Sequence, residues 1–100
     1  MDLNVFWTFT AQEDREGIYK YWNDKSGDKD YSRVLNNIIS DKLLKTVIFP
    51  DSGLETNRKD IYVHVIEKYY KLFYKVEENS IIVLRFWVNN KHLSRLKTDE

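Results

Sequence analysis

A chain of 100 residues has room for one modest core, burying roughly two-thirds of its unfolded surface, and reads as one domain over 1–100. Apolar residues make up 42%, which excludes a disordered chain; the absence of cysteine excludes disulfide scaffolds and thiol chemistry and fits a reducing, cytoplasmic compartment. Formal charge sums to zero, but residues 1–57 carry seven basic and ten acidic side chains and 58–100 carry nine and six, a dipole too mild to identify a nucleic-acid binder.

The opening MDLNVFWTF has no basic region and alternates as a strand does, with Leu3, Val5, Trp7 and Phe9 on one face. No apolar run approaches the ~18 residues that span a membrane. Thr10-Ala-Gln-Glu13 matches a capping box and predicts a helix start there, with Ile18, Tyr21 and Trp22 on one face and Gly27 as the stop. A second helix is expected from Asp28 or Asp30, because Tyr31, Val34, Leu35, Ile38, Ile39 and Leu43 keep helical spacing. The short link between them predicts an antiparallel hairpin. Phe49-Pro-Asp-Ser-Gly53 ends helical structure.

Three strands should follow. Ile61, Val63 and Val65 alternate with Tyr62, His64 and Ile66; Tyr70, Leu72 and Tyr74 alternate with Lys71, Phe73 and Lys75. Glu77-Glu-Asn-Ser80 reads as a hairpin turn. Ile81–Val88 is apolar on both faces apart from Arg85 and is expected to be the central, doubly buried strand. The tail 93–100 is polar enough to fray. The order β-α-α-β-β-β indicates an α+β fold: an N-terminal strand and a helix hairpin packed on a mainly antiparallel four-stranded sheet, with the other sheet face partly open.

On the expectation that Ile61, Val63 and Val65 meet the helices, the open face gathers His64, Lys71, Lys75 and Arg85 around Tyr62 and Phe73, with Lys91 and His92 at the rim. Bases interleaved with rings suit RNA, since cations meet phosphates and rings stack on bases. The plainer readings are a solvated or hydrogen-bonded histidine, outward lysines that protect against edge pairing, and a turn at Asn89-Asn90. The sequence has no GxGxxG, P-loop, HExxH or nucleophile elbow, and its two histidines lie 28 residues apart, so neither cofactor nor metal is expected.

Taken in order, Phe9-Thr-Ala-Gln-Glu-Asp14, Ile18-Tyr-Lys-Tyr-Trp22, Phe49-Pro-Asp-Ser-Gly53, Tyr70-Lys-Leu-Phe-Tyr-Lys-Val76 and Ile81-Ile-Val-Leu-Arg-Phe-Trp87 resemble the RelE/ParE toxins of bacterial type II toxin–antitoxin systems, over about residues 3–93. The resemblance implies a growth-arresting, plasmid-stabilising toxin held inactive in a hetero-oligomer with a cognate antitoxin that covers exposed aromatic surface. RelE-like members cleave mRNA on the ribosome without a metal, whereas ParE-like members poison DNA gyrase and are not enzymes. The helix hairpin ending in FP..G looks closer to ParE. A third reading is an inactive member that only binds antitoxin.

In the ribonuclease case the resemblance implies catalytic roles for Lys71, matching the basic residue of a Y-R-L-x-Y strand, for Lys91 after the last strand, and for His64. His64 and Tyr62 stand where some RelE-like members carry basic residues. Tyr62, Phe73, Lys75, Arg85 and His92 would contact the target. Relatives often finish the last strand with a Trp-Asp-x-Arg-like sequence; here it is Trp87-Val88-Asn89-Asn90, which lacks that cation.

Overall fold

The computed structural model describes residues 4–88. Asn89, Asn90, Lys91, His92 and the tail expected to fray lie outside the described residues. The elements are β1 (Asn4–Trp7), α1 (Phe9–Ser26), α2 (Asp30–Ile48), β2 (Leu54–Glu55), β3 (Ile61–Ile66), β4 (Tyr70–Glu77) and β5 (Ser80–Val88). They form a mixed sheet of five strands, one more than the sequence predicts, in the order β1-β5-β4-β3-β2. β1 runs parallel to β5, and the other pairings are antiparallel. The extra strand is the two-residue β2, too short to carry a periodic signal.

α1 begins two residues before the expected capping box. Thr8 is the cap, extended at φ −65° and ψ 159°, and its hydroxyl accepts the Ala11 N–H at 3.0 Å. The sheet decides this choice: the Thr8 N–H donates to Val83 O at 3.0 Å and its hydroxyl donates to Leu84 O at 3.1 Å. The cap therefore also closes part of the β5 edge that β1 leaves bare. Gly27 stops α1 in the left-handed region at φ 81°, as its position predicts.

The FP..G turn is fixed by a buried ring. The Tyr74 hydroxyl donates to Pro50 O at 2.8 Å and accepts the Gly53 N–H at 3.0 Å. A Cβ at Gly53 would lie 2.8 Å from that hydroxyl and 3.0 Å from the Tyr62 Cβ. Gly53→Ala should therefore cost about 1–3 kcal/mol through overpacking, read as a lower melting temperature in thermal denaturation.

The β3–β4 connection carries strain. Tyr69 N–H closes the turn on Ile66 O at 3.2 Å, and both residues between them have positive φ, Glu67 at 53° and Lys68 at 66°. Neither side chain favours that region, whereas Asn-Gly does. The double substitution Glu67→Asn, Lys68→Gly should stabilise the fold by about 1 kcal/mol, seen as a rise of roughly 4–8 °C in melting temperature.

The core lies between the helices and one sheet face. Leu35, Ile39 and Leu43 of α2, one turn apart, pack with Ala11 of α1 against Leu72, Tyr74, Ile81, Val83 and Phe86. Polar tips inside it are satisfied: the Trp22 indole donates to the Tyr70 hydroxyl at 2.9 Å, and the Tyr31 hydroxyl lies 3.0 Å from the same oxygen. Val34 and Tyr21, placed on apolar helix faces by spacing, are exposed. β5 lies beside β4, not at the sheet centre, and it is covered on one face only: Ile82 and Leu84 are half-buried and Trp87 is exposed.

Candidate binding face

β4 sets the two faces of the sheet. Tyr70, Leu72 and Tyr74 are buried under the helices, so Lys71, Phe73 and Lys75 point away from them. Pairing then builds three rows across the open face. Trp87, Lys71 and Val65 form the first, Arg85, Phe73, Val63 and Leu54 the second, and Phe6, Ile82, Lys75 and Ile61 the third. A bulge between Phe73 and Tyr74 takes up one extra residue of β5, so Arg85 and Trp87 share this face with Ile82. Four of its apolar side chains are far from covered: Phe6 is 54% exposed, Leu54 63%, Val65 44% and Trp87 43%. Phe73 and Trp87 meet edge to face with centroids 5.0 Å apart. These exposed apolar side chains gathered on one sheet face make it the candidate interaction surface.

Three cations break the apolar rows. Lys75 pairs with Glu77 at 3.3 Å. The Arg85 guanidinium lies over the Trp87 ring, 4.9 Å from its centroid, and turns toward α1, where its Nε donates to Asp14 Oδ2 at 2.8 Å and its Nη2 to Oδ1 at 3.2 Å. Asp14 Oδ2 also accepts the Phe86 N–H at 3.0 Å, doing what a strand carbonyl would do at that edge. Burial raises the Asp14 carboxyl, but the Arg85 and Phe86 hydrogen bonds and the Arg85 charge outweigh it and hold the pKa below the usual value. Among the described residues Lys71 has no ion pair.

The structure corrects two expected site residues. Tyr62 and His64 face the helices, not the open side. Tyr62 stacks on Tyr74 with centroids 5.5 Å apart, and His64 stacks on the same ring at 5.0 Å. His64 is only 6% exposed, and its Nε2 lies 2.9 Å from Thr46 Oγ1. That hydroxyl donates to Lys42 O at 2.7 Å, so the imidazole donates to it from Nε2. Burial first, and the Lys42 charge second, push its pKa down to about 4. The physical reason for the reversal is that β3 offers apolar side chains on both faces, and the Ile61, Val63, Val65 set belongs to the open one.

Of the expected catalytic set, His64 is buried in the core, Lys71 lies on the open face, and Lys91 lies outside the described residues with His92. Phe73, Lys75 and Arg85 take the open face as expected. Sequence reasoning missed Trp87, Val65, Ile82, Phe6 and Leu54. Apolarity on both faces of β5 was the available signal, and burial on both sides was the wrong inference from it. Among the described residues no cluster of His, Cys, Asp and Glu could hold a metal ion, and no helix is long and apolar enough to cross a membrane.

The sequence model described as the ParE toxin of the type II toxin–antitoxin system, parDE, matches residues 5–91. The chain belongs to the ParE toxin family. Solved structures share the ParE-like fold. One, described as the chromosomal ParDE toxin–antitoxin system from P. aeruginosa, superposes with a TM-score of 0.68 at 17% identity, covering 84% of this chain and 92% of that one. A conserved hypothetical protein from Helicobacter pylori superposes with a TM-score of 0.55 at 24% identity, covering 88% of this chain and 96% of that one. Among curated proteins none matches. ParE membership makes an antitoxin the implied partner.

Proposed function

We propose that this chain arrests growth by inhibiting DNA gyrase, and that a cognate antitoxin neutralises it by covering the open sheet face. On this reading residues 1–100 act as one cytoplasmic domain, in a hetero-oligomer with the antitoxin until the latter is lost. One observation carries the choice of target. Ribonuclease chemistry needs a base and a cation on the same side of the substrate, whereas His64 sits in the core and Lys71 on the opposite face of the sheet. A neutral, buried imidazole bonded to Thr46 serves packing, and no strand phosphate can reach it without unfolding β3 from α2. The open face, mostly apolar and with Lys71 its one cation without an ion pair among the described residues, suits a protein partner better than a polyanion.

The test is induced expression without antitoxin, following thymidine and leucine incorporation together, with purified gyrase assayed alongside. Thymidine incorporation is expected to fall first, and cleaved DNA to accumulate with gyrase. An earlier fall in leucine incorporation would move the target to the ribosome. His64→Gln and Lys71→Ala should both leave toxicity intact in any variant that folds.

A further inference from the structure

We infer that the Lys71 row selects the antitoxin segment by charge, accepting one carboxylate flanked by apolar side chains and rejecting a neutral or basic residue at that position. The inference rests on the proposal that the open face takes the antitoxin, and it adds the chemistry that the occupant must carry.

Lys71 stands between Val65 on one neighbouring strand and Trp87 on the other. Directly opposed residues of paired strands lie within about 5.5 Å at Cβ, so a segment that crosses the strands at Lys71 meets these two apolar side chains on either side of it. The other cations of the face are already neutralised from within the chain, Lys75 by Glu77 at 3.3 Å and Arg85 by Asp14 at 2.8 Å. Lys71 alone among them has no ion pair among the described residues. An apolar segment laid across this row strips water from an ammonium and leaves it unpaired, which opposes binding. A segment rich in acidic groups fails differently, because Val65 and Trp87 desolvate the flanking carboxylates with no cation beside them to compensate. The arrangement that satisfies the row is apolar, acidic, apolar.

The probes are three synthetic peptides identical except at a central position X, Leu-Ser-X-Ser-Leu within a soluble frame, with X as Asp, Asn or Lys. Binding is measured by calorimetry on the full chain. The Asp peptide is expected to bind at least tenfold tighter than the Asn peptide, with the Lys peptide weakest. Lys71→Met should abolish the preference, and Lys71→Glu should reverse it toward Lys. Equal binding of all three, binding of none, or an Asp preference that survives Lys71→Glu overturns the inference. So does a concentration-dependent dimer of the chain that Trp87→Glu abolishes, because the face would then belong to a second copy. Growth arrest is scored separately on the wild-type chain. Arrest without peptide discrimination sinks this inference and spares the toxin reading; discrimination without arrest does the opposite.

Discussion

Acidification from pH 6.5 to about 4 is expected to remove stability through His64, by about 3 kcal/mol in total. The unfolded imidazole takes up a proton near 6.5, while the folded one resists until about 4 because it is buried and lies near the Lys42 charge. The unfolded state therefore binds more protons throughout that window, and stability rises with pH across it. It is complete above 6.5, falls as pH drops toward 4, and changes no further through this group below that. Asp14, whose pKa is held below 3.8, contributes stability that is present above that value and is lost as pH falls through it, so its loss follows that of His64. Urea unfolding at neutral pH and near pH 4 checks this. His64→Gln should flatten the slope between them, at the cost of some stability at neutral pH. An unchanged slope in that variant would assign the acid sensitivity to another group.

Asp14→Leu is expected to cost about 2 kcal/mol, mainly because the Phe86 N–H loses its acceptor inside a covered edge. The carboxylate is 16% exposed, and the residue that it serves through the backbone, Phe86, is 1% exposed. Asp14→Asn keeps an oxygen for that N–H and should cost less, with the difference shrinking as salt rises. Hydrogen exchange at the Phe86 amide separates the cases: strong protection in the parent, partial in the Asn variant, and little in the Leu variant. The Leu variant should also aggregate more readily, since the end of β5 then offers an open edge. Equal protection of the Phe86 amide in all three proteins would show that Asp14 does not guard that edge.

Much of the fold is written locally. Proline at 50, glycines at 27 and 53, and the helical spacing of Leu35, Ile39 and Leu43 each fix an element by backbone or packing rules that need no distant partner. β4 also declared its faces, because lysines at 71 and 75 cannot sit under the helices. β3 has no such charge. Its Ile61, Val63, Val65 set is more apolar than Tyr62, His64 and Ile66, and the rule that sends the more apolar set inward fails because the open face of this sheet is itself apolar. His64 and Tyr62 were misplaced by that single reversal. Conflict between local pattern and final structure concentrates at functional surfaces, and here it falls on the face proposed to take the antitoxin. The α1 start was displaced for a different reason: Thr10, with Glu13 three residues on, is the better local cap, and the carbonyls of Val83 and Leu84, 76 residues away from Thr8 in the latter case, override it.

Of the described elements, β1 is synthesised first and β5 last, yet the two lie side by side, Asn4 against Ser80 and Trp7 against Val83. Until β5 emerges, β1 has no strand to pair with, and β4 lacks its neighbour on that side. Such sequence-distant pairing is the slow part of folding. The row of Trp87, Lys71 and Val65 cannot exist in any shorter nascent chain, whatever its hairpins have already formed. Prematurely terminated products should therefore not present the finished face, and on the proposed reading they would not engage antitoxin.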